Sequence, residues 1–369
     1  MIGFFLVFFA MGFGGSWLID MATYPKVDTH KVSEVFKQDA STKYYYHQLS
    51  DAQKKDYQIM YYAFKTFQEE VPLKTTSEDD VSIILESLLN DHTELYYISY
   101  EYSYRIDDRH GVLMFYPKFL MNKEDIQKID ENIKRETKYI IEKAKQEKTD
   151  LDKMEVLYRY LIESVEYKEN KDDQIMTSAL LDKKSVCAGY AKAYQYLLEQ
   201  VGIEASYMTG LSNVENKVGN NERHAWVMVH LGDDYYYSDP TWGDCIDKNM
   251  EHPCMFYFLM DSDEMLKCYE PDVKYEKTQK DKLDYFKENE TYMEAYNKKI
   301  LSHAVQLGLK NKTKVAEVKC ANKKVYQKIV HQLKNTNLAY DVLSKNGCWN
   351  DNTYYGCDEK NLMIELYYK

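Results

Sequence analysis

Apolar residues recur at helical spacing at two places in the middle of the chain. The first place covers residues 151–165, where the large apolar side chains fall on one face of a helix. The second begins at Cys187 and continues to Gly202, a residue type that commonly follows the last turn of a helix. The pattern therefore predicts two amphipathic helices, and Cys187 begins the second of them.

Segments typical of strands follow the second helix. Residues 203–209 and 224–231 combine apolar and aromatic side chains with few helix or strand breakers. A turn at Gly232 leads to residues 235–239, so the last two segments predict a hairpin. Residues 210–222 are rich in Asn and Gly and predict a loop.

These helices and strands predict an α+β domain, which we assign to residues 149–270. Before it, helices and two strands, the first rich in tyrosine, predict a helix-plus-hairpin domain over residues 26–148. After it, residues 271–369 predict a linker helix and a small α+β domain. Within that last part, residues 289–307 have the pattern of one continuous helix. The predicted fold class of the whole chain is α+β.

The N-terminal segment lacks charge. Residues 1–19 contain no charged side chain, and Phe4 to Met11 is almost entirely large and apolar. Such a segment is typical of a secretory signal or a membrane anchor, which we assign to residues 1–25. The basic residues that usually precede the apolar run are missing, since the first Lys is Lys26. A cleaved signal, a retained anchor and a buried helix stay open, and we expect an extracellular or cell-surface protein.

The acidic balance of the chain limits its partners. It has 48 Lys and Arg residues against 60 Asp and Glu residues, which gives a net charge of −12, and it has no long basic run. Proteins that bind nucleic acid present a positive footprint. We therefore predict no nucleic-acid partner.

The seven cysteines do not predict a metal site. They form no CxxC pair, and the chain shows no HxxxH cluster or calcium-loop pattern, so we predict no metal and no other cofactor. If Cys187 is a free nucleophile, the other six allow three disulfides in an exported chain. Equal spacing favours the pairs Cys245–Cys254 and Cys348–Cys357. Several unpaired buried thiols are the alternative.

Cys187, His224 and Asp239 carry the three groups that thiol enzymes combine. The free N–H groups and positive end of a helix N-terminus favour a thiolate at Cys187 and can hold an oxyanion. His224 begins a strand and Asp239 ends the returning strand of the same hairpin, so the two side chains are expected to meet. A carboxylate there fixes the imidazole tautomer and stabilises the imidazolium. We therefore predict a nucleophile, a general base and an orienting carboxylate.

Each of these residues alone has a simpler explanation. A Cys at a helix start is more often a small buried residue, and an Asp before Pro usually begins a turn. A His at a strand start is usually a surface or core residue. Their joint occurrence in this order favours the catalytic interpretation. Asp244 is a second acidic candidate, but the spacing favours Asp239.

Two stretches resemble the transglutaminase-like superfamily: CAGYAKAYQYLLEQVGI, which begins at Cys187, and HAWVMVHLGDDYYYSDPTWGD, which begins at His224. The resemblance covers about residues 150–268. It implies a papain-like α+β core with Cys187, His224 and Asp239 as its triad. The first domain is similar to the helix-plus-hairpin domains that precede this core in exported proteins of Gram-positive bacteria.

The resemblance implies an enzyme that attacks a peptide or protein amide and forms a thioester on its Cys. Water or an amine would then resolve the thioester. Trp226 and Trp242 either wall the substrate cleft or fill the core. The expected partner is a peptide or protein substrate at the cell surface, with membrane anchoring through residues 1–19. The alternative is a catalytically silent protein that uses the same fold to bind the cell surface or cell wall.

Overall fold

The chain folds into two compact units, residues 1–135 and 136–369. The structure is a computed structural model that describes residues 29–36, 43–107, 111–213, 222–244, 254–279 and 283–368. The expected signal or anchor at residues 1–25 lies outside the described residues. No helix in the described part of the chain has the length and apolar character needed to cross a membrane. The predicted domain boundaries stay predictions.

The first unit combines helices with a three-stranded antiparallel sheet of order β1–β3–β2. Its elements are α1 (Thr29–Phe36), α2 (Tyr44–Gln48), α3 (Asp51–Thr66), β1 (Val71–Leu73), α4 (Glu78–Asp91), β2 (Ile98–Asp107) and β3 (Val112–Phe119). The next helix, α5 (Lys123–Lys145), contains the boundary at residue 135. Ser50 begins α3 with a reciprocal capping box, in which its hydroxyl accepts the Gln53 N–H.

The second unit begins with the elements that surround Cys187. They are α6 (Asp150–Ser164), β4 (Glu166–Tyr167), β5 (Lys184–Ser185), α7 (Cys187–Gln200), β6 (Glu204–Ser212), β7 (Glu222–Leu231), β8 (Asp234–Ser238), α8 (Pro240–Gly243), α9 (Ser262–Cys268) and β9 (Tyr269–Pro271). The last four strands form an antiparallel sheet of order β8–β7–β6–β9. Helix α7 packs on β6 and β7, and its apolar stripe, which includes Tyr190, Tyr194 and Leu197, is fully buried.

The strand register brings the hairpin residues of interest together. β7 and β8 pair Val227 with Ser238, so Asp239 follows the end of β8 at the level of Trp226. His224 lies two residues earlier on β7, and side chains two residues apart share one face of a strand. β6 extends to Ser212 in pairing with β7, so the predicted loop begins later than residue 210.

The C-terminal part of the second unit is a sheet of order β10–β11–β13–β12 with helices packed on it. Its elements are α10 (Tyr285–Glu288), β10 (Tyr292–Met293), α11 (Lys298–Asn311), β11 (Val315–Cys320), α12 (Lys323–Asn335), α13 (Leu338–Lys345), β12 (Tyr354–Asp358) and β13 (Met363–Tyr367). Ala316 and Val318 of β11 lie in the apolar core beneath the helices. Glu317 and Lys319 alternate with them and therefore lie on the other face of the sheet. There Glu317 accepts the Met255 N–H, and Lys319 pairs with Glu264.

The predicted continuous helix over residues 289–307 is wrong. β10 pairs in parallel with β11, and α11 begins only after Asn297, whose side chain accepts the Lys299 N–H. Pairing with a strand that lies later in the chain overrides the local helical pattern here.

The predicted pair Cys348–Cys357 is also wrong, because both of these cysteines are free thiols. Cys348 is buried in the apolar core under α11 and α13, whereas Cys357 is exposed on β12. Equal spacing along the chain does not bring two thiols onto the same surface. The other expected pair includes Cys245, which lies outside the described residues.

Candidate active site

Cys187 is the first residue of α7, as the sequence predicted. The residue before it, Val186, has an extended backbone and no side chain that caps the helix. The N–H groups of the first turn of α7 therefore lie beside the thiol without a side-chain cap from Val186. The Cys187 side chain is partly exposed.

A network of hydroxyl groups fixes the chain just before Cys187. The Ser185 hydroxyl donates to the Asp173 carbonyl oxygen at 3.0 Å and lies 2.6 Å from the Ser178 hydroxyl. Gly189 faces this network so closely that an added Cβ would lie 2.0 Å from Ser185 Oγ. A glycine is therefore required for α7 to begin against this turn.

His224 and Asp239 are hydrogen-bonded inside the protein. Nε2 of His224 lies 2.6 Å from Oδ2 of Asp239. The Asp239 residue is completely buried, and His224 is 9% exposed. Because Asp239 occupies Nε2, the Nδ1 side of the ring is left for Cys187, whose thiol is within hydrogen-bonding reach. The structure thus brings the three predicted residues together.

The Asp239 carboxylate has a donor for each lone-pair direction. Its Oδ1 accepts the backbone N–H groups of Thr241 and Trp242 at 2.9 and 3.1 Å, and so caps α8. Its Oδ2 accepts a hydrogen bond from the Tyr269 hydroxyl at 2.5 Å in addition to the contact with His224. The buried carboxylate therefore has no oxygen without a hydrogen-bond partner.

Tyr269 is a site residue that the sequence analysis missed. It begins β9, is fully buried, and its ring lies parallel to that of His224 at 5.6 Å between centroids and 13° between planes. Burial and the charge of Asp239 raise its pKa well above that of a free tyrosine, so its hydroxyl keeps its proton. No local motif marks this residue, because its role depends on β9 pairing with β6.

The pKa of His224 is raised to about 10. Burial of the ring lowers this pKa, but the charge and hydrogen bond of Asp239, together with the adjacent Cys187, outweigh the effect. His224 therefore keeps a positive charge at neutral pH in the folded protein.

The two tryptophans differ in position. Trp226 is completely buried and stacks on Tyr269 at 4.5 Å, so it belongs to the core behind the imidazole. Trp242 is partly exposed, and its ring lies 6.1 Å from His224. Of the two, only Trp242 is placed where it could contact a substrate near His224.

Tyr167 is a second residue that the sequence analysis did not identify. It lies on β4, which pairs with the strand just before Cys187. Burial and the charge of the nearby Cys187 raise its pKa to about 12, so its hydroxyl keeps its proton at neutral pH. It is 39% exposed and can meet a bound molecule.

Asp244 does not contact His224. Its Oδ2 lies 2.6 Å from the Tyr190 hydroxyl, which also lies 2.8 Å from the Val165 carbonyl oxygen. The Tyr190 hydroxyl is the donor toward Asp244, and a phenol has one proton, so it divides that proton between the carboxyl group and the carbonyl. Burial raises the pKa of Asp244 to about 7, and the hydrogen bond from Tyr190 only partly offsets this effect.

One group in the described part of the chain has side chains that metals commonly use. Ligand atoms of Cys254, Glu317 and Glu365 lie within 4.8 Å of one another. Protein groups already occupy two of them, because Glu317 accepts the Met255 N–H and Glu365 accepts the Tyr367 hydroxyl. Burial and the charge of Glu365 raise the pKa of Glu317 to about 8. A proton held by Glu317 can therefore reduce the repulsion between the two carboxyl groups without a metal cation.

Comparison with known proteins identifies a family for part of the chain. Residues 137–240 match the profile of the transglutaminase-like superfamily, which starts earlier than the predicted domain at residue 149. Comparison with curated proteins gave no match.

Three solved structures were compared. A crystal structure of a TGase aligns with 45% of this chain and 48% of its own, at 14% identity and a TM-score of 0.27. The periplasmic domain of TgpA from Pseudomonas aeruginosa aligns with 38% of this chain and 56% of its own, at 18% identity and a TM-score of 0.26. A candidate cysteine protease from Cytophaga hutchinsonii aligns with 38% of this chain and 61% of its own, at 13% identity and a TM-score of 0.23. The chain thus spans roughly half of these proteins, and TM-scores this low support no transfer of function.

Proposed function

Because residues 137–240 belong to the transglutaminase-like superfamily, we propose that the chain is a cysteine enzyme that attacks an amide of a peptide or protein. The observation that carries this proposal is the buried His224–Asp239 pair beside Cys187 at the start of α7. A thiol, an imidazole and a carboxylate in this order form the nucleophile, base and orienting group of thiol enzymes.

In the first step, the Cys187 sulfur attacks the carbonyl carbon of the substrate amide. His224 holds the proton, so the attacking group is a thiolate beside an imidazolium. The carbonyl π electrons move to oxygen and form an oxyanion. The N–H groups of the first turn of α7 and the Tyr167 hydroxyl are the donors available to it.

In the second step, the tetrahedral intermediate breaks its C–N bond. The imidazolium of His224 gives its proton to the departing nitrogen, so an amine or ammonia leaves and a thioester with Cys187 remains. Asp239 keeps the ring in place while its charge changes, because the carboxylate itself is fixed by α8 and Tyr269.

In the third step, water or an amine attacks the thioester. Neutral His224 accepts the proton of the attacking group and becomes an imidazolium. The C–S bond breaks and releases Cys187 as a thiolate, which restores the starting imidazolium–thiolate pair. Water gives hydrolysis, and an amine gives transfer. Trp242, partly exposed beside His224, is the side chain best placed to contact the group that enters.

We propose an extracytoplasmic location for this activity. The support is the uncharged, largely apolar run at residues 1–19.

Labelling with a thiol-reactive probe that carries an amide or epoxide tests the site. We expect labelling of Cys187 in the full-length protein, and slower labelling by at least about tenfold in His224→Ala, because the imidazole no longer holds the thiol proton. Cys357→Ala is the matched control, since Cys357 is the exposed thiol of the described chain and lies far from the triad in sequence. Equal labelling rates in the wild type and His224→Ala would refute the proposed activation.

Mass spectrometry after incubation with peptides that contain Gln and Lys tests the reaction. Loss of ammonia indicates cross-linking or deamidation, and new peptide termini indicate proteolysis. Cys187→Ala is the control for contaminating enzymes. If the wild type changes no peptide under conditions where Cys187 is labelled, the proposed amide substrate is wrong although the thiol is activated.

A further inference from the structure

The C-terminal helices are strongly basic in an acidic chain. Residues 298–345, which contain α11, α12 and α13, have eleven Lys, no Arg and two acidic residues, a net charge of +9. The rest of the chain therefore carries −21. The lysines are spread over three helices and their connections, so no run of basic residues reveals them in the sequence.

Ten of the eleven lysines are exposed. The exception is Lys319 of β11, which pairs with Glu264 and Asp284 on the opposite face of the sheet. The only exposed acidic residue of the segment is Asp341, which pairs with Lys298. The positive charge is thus concentrated on the solvent side of the helices, which we call the basic helical layer (residues 298–345).

The helices are oriented with their lysines away from the core. On α11, Leu301 and Val305 are buried against the sheet, whereas Lys299 and Lys310 are exposed about half a turn away. On α12, Lys324 is exposed on the side opposite the buried face. Helix α13 packs against both α11 and α12, so the three helices form one continuous surface.

An exposed aromatic pair lies at α13. Tyr340 is 49% exposed and Trp349 is 43% exposed, and their rings meet edge to face at 5.2 Å. Large aromatic side chains with a polar edge are the residues that favour the headgroup region of a membrane. A groove between α11 and α13 is lined by Lys299, His303 and Lys345, which can accept a phosphate-bearing headgroup.

We propose that the basic helical layer binds the surface of a lipid bilayer that contains anionic lipid. Lysines act as separate point charges and suit a fluid array of headgroups, whereas recognition of nucleic acid commonly relies on Arg for bidentate contacts. The aromatic pair adds apolar area that enters the interface. This interaction uses neither residues 1–19 nor the thiol site.

Binding of the full-length protein to vesicles tests the proposal. The two vesicle types are phosphatidylcholine alone and phosphatidylcholine with about one-third phosphatidylglycerol. We expect partitioning at least about tenfold stronger onto the anionic vesicles, and loss of this preference at about 1 M salt, where charges are screened beyond about 3 Å. Any binding by the apolar N-terminal residues is common to both vesicles and cancels in the ratio.

Two triple variants separate the layer from net charge. Lys299→Glu/Lys310→Glu/Lys324→Glu is expected to lower the preference for anionic vesicles at least about tenfold, since each Lys near such a surface contributes measurably. A control with Lys134→Glu, Lys138→Glu and Lys143→Glu makes the same change in net charge at exposed lysines of α5 and is expected to keep the preference.

Tryptophan quenching by brominated lipid locates the contact. We expect quenching on anionic vesicles that is reduced in Trp349→Phe, because Trp349 enters the interface. Equal binding to both vesicle types, equal losses in the two triple variants, or unchanged quenching in Trp349→Phe would each overturn the proposal. Binding of linear polyphosphate without binding to anionic vesicles would also overturn it, and would identify a soluble anionic polymer instead of a lipid surface.

Discussion

Replacement of Tyr269 by Phe probes the charge of Asp239 with the smallest change in packing. The substitution keeps the ring that stacks on His224 and Trp226 and removes only the hydroxyl that donates to Asp239 Oδ2. The carboxylate is completely buried and keeps its other donors at Oδ1 and His224. The variant is therefore expected to fold and to retain the geometry of the pair.

The magnitude follows from the charge of the acceptor. A hydrogen bond to a charged group contributes about 1.5–3 kcal/mol, and one between neutral groups about 0.5–1.5 kcal/mol. Tyr269→Phe should therefore lower the free energy of unfolding by about 1.5–3 kcal/mol in the wild type. In an Asp239→Asn background, where the acceptor is neutral, the same substitution should cost about 1 kcal/mol less.

Urea unfolding of the wild type, both single variants and the double variant measures this coupling as a double-mutant cycle. Tryptophan fluorescence is a suitable signal, since Trp226 stacks directly on Tyr269. Tyr368→Phe is the matched control: this buried hydroxyl donates to the neutral carbonyl of Val305 at 3.2 Å, so its cost should be small and independent of Asp239. A coupling below about 0.3 kcal/mol would show that Asp239 is not the charged acceptor inferred here.

Three further substitutions test other parts of the site. The charged form of His224 contributes to the free energy of unfolding fully below its unfolded pKa of 6.5, and this contribution is lost as pH rises through about 10. The difference in unfolding free energy between wild type and His224→Gln should therefore shrink over that range. A difference that grows would contradict the pairing of His224 with Asp239. Burial raises the pKa of Asp244 from 3.8 to about 7, so the wild type should lose stability relative to Asp244→Asn, by on the order of 1–3 kcal/mol, as pH rises from 4 to 8. A stability difference in urea unfolding that does not change with pH would refute the raised pKa. Gly189→Ala should lower the free energy of unfolding by about 1–3 kcal/mol and slow probe labelling of Cys187, because the added Cβ would lie 2.0 Å from Ser185 Oγ. Unchanged labelling would show that the start of α7 can shift without effect on the thiol.

Local pattern was sufficient to predict the elements that hold the triad. The apolar stripe after Cys187, with Gly202 at its end, is a property of adjacent residues, and the hairpin that carries His224 and Asp239 is set by its turn. The transglutaminase-like assignment rests on these same segments, and the family match to residues 137–240 confirms it. The catalytic roles of the three residues stay predictions.

Features that depend on contacts between distant segments were not predictable in this way. Tyr269 reaches Asp239 only because β9 pairs with β6, and nothing near Tyr269 in the sequence marks that pairing. The start of α11 was placed too early because β10 belongs to a parallel pair with β11. The basic helical layer was hidden by the net charge of the whole chain, since the lysines are separated by the apolar positions of their helices.

Asp239 combines a structural and a chemical role, and its two oxygens divide them. Oδ1 accepts the N–H groups of Thr241 and Trp242 and so holds the start of α8, while Oδ2 faces His224 and Tyr269. Asp239→Ala would therefore remove the cap of α8 and the carboxylate that stabilises the charged form of His224 at the same time. A loss of activity in this variant could not be assigned to either effect alone. Tyr269→Phe changes only the Oδ2 side. It can therefore separate the contribution of the buried charge from the contribution of the fold.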